Sequence, residues 1–174
     1  MENKKYSALE VANYIVWYVN NNHLGSLTPL KLHKILYYVS TTYVKETGYL
    51  LFDESFEKWQ YGPVVKSVYH NFKNFGISHI DEPIDLIQVD PSSILGFKKV
   101  KFSHEKFSND YEFLKIANTV IETLVNRKAF DLVEMTHMES AWKRFESKIL
   151  SGYQALEYSI DELKAAKDIN LRIM

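Results

Sequence analysis

The sequence predicts a mainly α fold: a single compact helical domain with a small β-hairpin element. Three observations carry this prediction. Apolar residues recur at helical period along most of the chain. Two of those runs open on strong N-cap signals. One short piece, Lys99-Val100-Lys101-Phe102, alternates in the period-2 manner of a strand.

The first helix is expected over residues 7–22. Ser7 with Glu10 three residues on has the capping-box pattern, and Ala8, Val11, Ala12, Ile15, Val16 and Val19 form one apolar stripe. Asn20-Asn21-Asn22 and Gly25 end it. The second helix opens on Thr28-Pro29, an N-cap oxygen followed by the one helical position where proline loses no hydrogen bond. Its buried face carries Leu32, Ile35, Leu36, Val39 and Tyr43, while Lys31, Lys34 and Tyr38 project elsewhere, and Gly48 is the natural stop.

Residues 49–62 read as extended chain leading into a turn. A third helix is expected over 63–75, with Val65, Val68, Tyr69 and Phe72 on one face and Gly76 beyond it. Residues 77–107 have no sustained helical period and contain Pro83, Pro91 and Gly96, so they read as a variable insertion bearing the strand. A fourth helix starts at Asn109, with Glu112 completing a cap, and buries Phe113, Ala117, Val120, Ile121 and Leu124. Asp131 starts a fifth at Leu132, Trp142 lies on the segment after it, and residues 160–166 form a short terminal helix.

Composition narrows the function. With 174 residues, 46% of them hydrophobic, the chain can bury the core of one domain, the unit expected over 1–174. A net charge of −1 argues against a general nucleic-acid binder, which needs a concentrated basic surface. With no cysteine, disulfides and thiolate zinc sites are excluded. The opening MENKKYSALEVANY runs straight into an amphipathic pattern, so no signal peptide is expected. No apolar run reaches the roughly 18 residues of a membrane span, which points to the cytoplasm.

No residue stands out as catalytic. None of the six histidines is paired at metal-binding spacing, and no phosphate-cradling glycine loop, dinucleotide fingerprint or nucleophile elbow is present. Neither a cofactor nor a metal is expected. His137, beside Thr136 and five residues before Trp142, could exchange a proton, or could rest on a backbone carbonyl and stack on Trp142. Trp59 and Tyr61 read more readily as core anchors than as ligand contacts. The lysines of the second helix, Lys31, Lys34 and Lys45, are a solvated face or a landing strip for an acidic partner.

Three blocks taken together resemble a known family. They are Leu27-Thr28-Pro29-Leu30-Lys31-Leu32-His33-Lys34-Ile35-Leu36-Tyr37-Tyr38; Trp59-Gln60-Tyr61-Gly62-Pro63-Val64-Val65 with Tyr69; and Leu132-Val133-Glu134-Met135-Thr136-His137 followed by Trp142-Lys143. In this order they resemble the Panacea domain family, which includes phage-associated proteins and an antitoxin that acts as a protease adaptor. The resemblance implies an antitoxin encoded beside a toxin, whose partners are the cognate toxin protein and, in one branch, a protease. It implies partner choice in residues 77–107 or in the tail after Glu157.

Within the blocks, Thr28, Pro29, Gly62, Pro63 and Thr136 form the structural motif, of which Pro29, Gly62 and Pro63 are expected to set backbone geometry. Lys31, Tyr38, Trp59, Tyr61, His137, Trp142 and Lys143 are the partner-binding candidates, because they are polar-tipped or cationic. Two rival functions stay open: an enzyme using His137 as general base, and a nucleic-acid-linked phage or prophage regulator using the lysines of the second helix.

Overall fold

The computed structural model describes residues 6–169; residues 1–5 and 170–174, the ends of the expected 1–174 unit, lie outside them. About half of the described residues are helical, in eight α-helices, with two small antiparallel sheets of two strands each. The mainly α expectation is therefore met, with a second hairpin added.

Helix α1 (Ala8–Asn21) starts on the expected reciprocal capping box of Ser7 and Glu10. Helix α2 (Pro29–Thr47) starts on Thr28 and stops at Gly48, whose φ of 80° is left-handed and suits glycine. Its surroundings differ from expectation. An amphipathic stripe implies one buried face, yet Lys34 and Tyr38 are 0% exposed, as are Leu32, Ile35, Leu36 and Val39. Neighbours meet α2 on several sides: α1, then α3 (Lys66–Phe72), α4 (Tyr111–Leu124), α5 (Ala129–His137) and α8 (Ile160–Lys164). A helix at the centre of such a ring has no solvent side on which Lys34 and Tyr38 could project.

The third helix starts later than expected, at Lys66, and ends in a 3-10 turn over Lys73–Phe75. Pro63 and Val64 belong instead to strand β2 (Gly62–Val64), which pairs with β1 (Glu57–Trp59) in the register Glu57 to Val64 and Trp59 to Gly62. Proline fixes φ in a range that serves an extended edge as well as a first helical turn, so its presence did not separate the two. Residues 156–158 run along the other side of β1. The Lys58 N–H donates to the Leu156 carbonyl at 2.7 Å, and the Tyr158 N–H to the Phe56 carbonyl at 2.9 Å.

The 77–107 segment carries strands β3 (Leu86–Val89) and β4 (Phe97–Val100), the latter two residues earlier than the alternation at 99–102 indicates. Helix α4 is capped by Asp110, not Asn109: the Asp110 carboxylate accepts from the Phe113 N–H at 3.1 Å. The expected apolar stripe of α4 is fully buried. Helix α5 starts two residues before Asp131, α6 (Ser140–Lys143) carries Trp142, α7 (Glu146–Leu150) follows, and α8 is shorter than 160–166. Among the described residues, no helix is long and apolar enough to cross a membrane.

A hairpin clamped by three helices as the candidate partner-binding site

The turn Gln60-Tyr61 joins β1 to β2, and three helices hold its backbone from beneath. From α2, the Lys34 ammonium donates to the Pro63 carbonyl at 3.0 Å. From α5, His137 Nε2 lies 2.9 Å from the Gln60 carbonyl, an acceptor, so the proton sits on Nε2. From α6, the Trp142 indole N–H donates to the Trp59 carbonyl at 2.9 Å. The Gln60 carbonyl belongs to the turn itself and those of Trp59 and Pro63 to the strands beside it, and side chains far away in sequence bond all three.

The clamp explains the residue types. Gly62 has φ 95°, and a Cβ placed there would lie 2.5 Å from Thr136 Oγ1 and 2.9 Å from Lys34 Cε. Only glycine lets the turn approach this closely. Thr136 is buried and donates its hydroxyl to the Val133 carbonyl at 2.7 Å, one turn back in α5. The His137 ring lies on the Trp142 ring with centroids 3.6 Å apart and an interplanar angle of 15°. Burial holds the imidazole pKa below its ordinary value, against the upward pull of the Gln60 hydrogen bond, so His137 is a neutral donor. Burial also pushes the Lys34 pKa down to about 7.

A second polar cluster lies beneath the clamp. Glu139, on the link between α5 and α6, accepts from the Tyr37 and Tyr38 hydroxyls at 2.7 Å each. Burial raises the carboxyl pKa, against the pull of these two donors. Both phenols are pushed above their ordinary value, first by burial and then by the Glu139 charge, so each is a proton donor throughout the usual pH range.

The candidate residues therefore divide by accessibility. Tyr38 and Trp142 are buried. Trp59 is half-buried, with its ring edge-on to Tyr69 at 4.8 Å and its N–H donated to Glu57 at 2.8 Å. Lys31 donates to the Ser26 carbonyl at 3.0 Å and to the Val125 carbonyl at 2.7 Å, at the C-terminal end of α4 where a cation is favoured. Lys143 is exposed and paired with Glu146 at 2.8 Å. Thr28 and Pro29 start α2, at a distance from the turn in sequence but on the helix that supplies Lys34.

Tyr61 is the outward element, 49% exposed at the apex of the turn. It meets Phe130, itself 63% exposed, edge to face at 6.0 Å. Phe130 was missed in the sequence because it lies off the buried stripe of α5; it sits seven residues, two helical turns, before His137, a spacing that places both on one face. Glu139 was missed because its tyrosine donors are about a hundred positions away.

A family model described as "Antitoxin SocA-like, Panacea domain" matches residues 32–143. The chain belongs to this family of SocA-like antitoxins. The matched Panacea domain starts inside α2 and ends on Lys143, so it includes Lys34, the whole β1–β2 turn, Phe130, His137, Glu139 and Trp142. No curated protein and no solved structure matches the chain. The three blocks that resemble the Panacea family in sequence are thus the three that meet at the clamped hairpin.

Proposed function

We propose that this protein is the antitoxin of a toxin–antitoxin pair, acting in the cytoplasm, and that it neutralises its toxin by direct protein binding. Membership of the Panacea family over 32–143 carries the reading at the level of class. The Tyr61–Phe130 pair supports the finer statement. Tyr61, on a backbone clamped at three carbonyls, and Phe130, on α5, hold two aromatic rings outward as an anchor of the kind that dominates protein interfaces. His137 and Lys143 lie within the matched domain beside this anchor in sequence and supply polar rim groups. Residues 77–107, within a single unit spanning the chain, are the proposed seat of partner choice.

The rival readings fit the geometry less well. A general base acting on Thr136 needs an accessible hydroxyl, whereas Thr136 is buried and donates its hydroxyl to the Val133 carbonyl. A phosphate-binding lysine stripe on α2 needs free ammonium groups. Lys34 is buried on Pro63, Lys31 caps two carbonyls and Lys45 bonds the Ala166 carbonyl.

The test is co-expression with the product of the neighbouring gene, followed by co-purification. Growth rescue with a stable complex is the expected result, and Tyr61→Ala with Phe130→Ala should weaken that complex at least tenfold while the protein keeps its fold. Rescue with no complex, or toxin loss that requires a protease, would replace neutralisation by direct binding with an enzymatic or adaptor mechanism.

A further inference from the structure

The β3–β4 hairpin presents its apolar side to water. Residues directly opposite in an antiparallel pair share a face, so the pairs Ile87–Lys99 and Val89–Phe97 form one face. The pairs Leu86–Val100 and Gln88–Lys98 form the other. On the first face Ile87 is 69% exposed, Val89 86% and Phe97 45%. The loop beyond adds Ile94 and Leu95, also exposed. A sheet with one solvated face ordinarily places polar residues there. Here the apolar set is outside, while the half-buried Leu86 and Val100 are on the inward face.

The arm is nonetheless anchored. Asn13, buried on α1, donates its amide to the Ile84 carbonyl at 2.9 Å and accepts the Ile84 N–H at 3.0 Å, two residues before β3 begins. Phe102, two residues after β4, packs on the core. The sheet has only two strands, so each has an unpaired edge. An apolar face of this kind, held in place at its base and open at its edges, fits an interaction surface.

The charge of the β4 strand, set apart from the acidic base of the arm, points to the occupant. From Leu86 to Lys101 there are three lysines, Lys98, Lys99 and Lys101, against one acid, Asp90, which pairs with Lys98 at 3.9 Å. Three more acids, Asp81, Glu82 and Asp85, lie at the base of the arm. Antiparallel self-pairing of β4 centred on Lys98 and Lys99 would oppose like charges, which disfavours a second copy on that edge. We propose that the β3–β4 hairpin docks an extended, acidic and amphipathic segment of the toxin. That segment pairs with a free edge, lays alternate apolar side chains along Ile87, Val89 and Phe97, and sets its carboxylates against Lys99 and Lys101. This rests on the antitoxin reading and adds a second contact to the Tyr61–Phe130 anchor.

The experiment uses the full chain and the neighbouring gene product, with affinity measured by calorimetry and growth rescue scored alongside. One variant combines Ile87→Ser, Val89→Thr and Phe97→Ser, leaving Leu86, Val100 and Phe102 in place. A second combines Lys98→Glu, Lys99→Glu and Lys101→Glu, all exposed positions that remain informative if the first variant misfolds. Both should keep the helical circular-dichroism spectrum and bind the partner at least tenfold more weakly, and wild-type affinity should fall as salt rises. Unchanged affinity in both folded variants would overturn the docking proposal while the antitoxin reading stands. A wild-type chain that neither binds nor rescues would remove the antitoxin reading and this proposal with it. A wild-type dimer that the first variant dissolves, with partner affinity intact, would make a second copy the occupant and overturn the assignment to the toxin.

Discussion

Replacing Gly62 by alanine tests the clamp at its tightest point. The added Cβ would stand 2.5 Å from Thr136 Oγ1 and 2.9 Å from Lys34 Cε, in a backbone at φ 95°. A non-glycine residue at such a φ costs about 1–3 kcal/mol in backbone strain, and overpacking a tight site adds about 1–3 kcal/mol. The expected loss is about 2–6 kcal/mol, or roughly 4–24 °C in Tm for a chain of this size. Urea unfolding of Gly62→Ala, Thr136→Ala and the double variant forms the cycle that separates the two contributions. Thr136→Ala alone should cost about 1 kcal/mol, through its lost bond to Val133. The double variant should fall short of the sum by about 1–2 kcal/mol, because the nearer obstacle is gone while the φ strain and the Lys34 contact remain. Strict additivity, or a cost for Gly62→Ala below about 1 kcal/mol, would refute close approach as the reason for glycine.

Other outcomes follow from the same geometry. Lys34 titrates near 7 in the folded chain and near 10.5 when unfolded, so between those values the unfolded state holds the extra proton. Wild-type stability should therefore rise from pH 7 to pH 10, and Lys34→Met, followed by urea unfolding across that window, should remove most of the rise, burial of Lys31 and Lys45 supplying the rest. His33, whose pKa burial pushes down to about 3 from 6.5, should impose a loss of stability as pH falls through that range, a loss that His33→Gln removes. Trp142→Phe keeps a ring beneath His137 but leaves the Trp59 carbonyl without its donor, and should cost about 2–4 kcal/mol by chemical denaturation. Tyr37→Phe removes one of the two hydroxyls on Glu139, so an NMR titration should show the Glu139 pKa rising further.

Local sequence settled the parts whose physics is local. The Ser7–Glu10 box, Thr28-Pro29 and Gly48 fix α1 and the ends of α2, because caps and left-handed stops act within a few residues. The α4 stripe is likewise buried as its period indicates, although Asp110 displaced Asn109 as cap: both side chains can accept the same N–H, and the reach to Phe113 chose between them. The membership of one family, and the three blocks that carry it, were also legible.

Only tertiary structure decided what those blocks do. Helical period shows one face of α2, and it cannot show that other helices cover the rest, so the burial of Lys34 and Tyr38 came from packing around the helix. The roles of His137 and Trp142 depend on carbonyls of Gln60 and Trp59 more than seventy positions away. The need for glycine at 62 depends on Thr136 and Lys34, and the outward face of β3–β4 depends on how Asn13 and Phe102 anchor its base. Period and capping report each residue's relation to its neighbours along the chain; clamping and exposure are set by what the chain brings back across space.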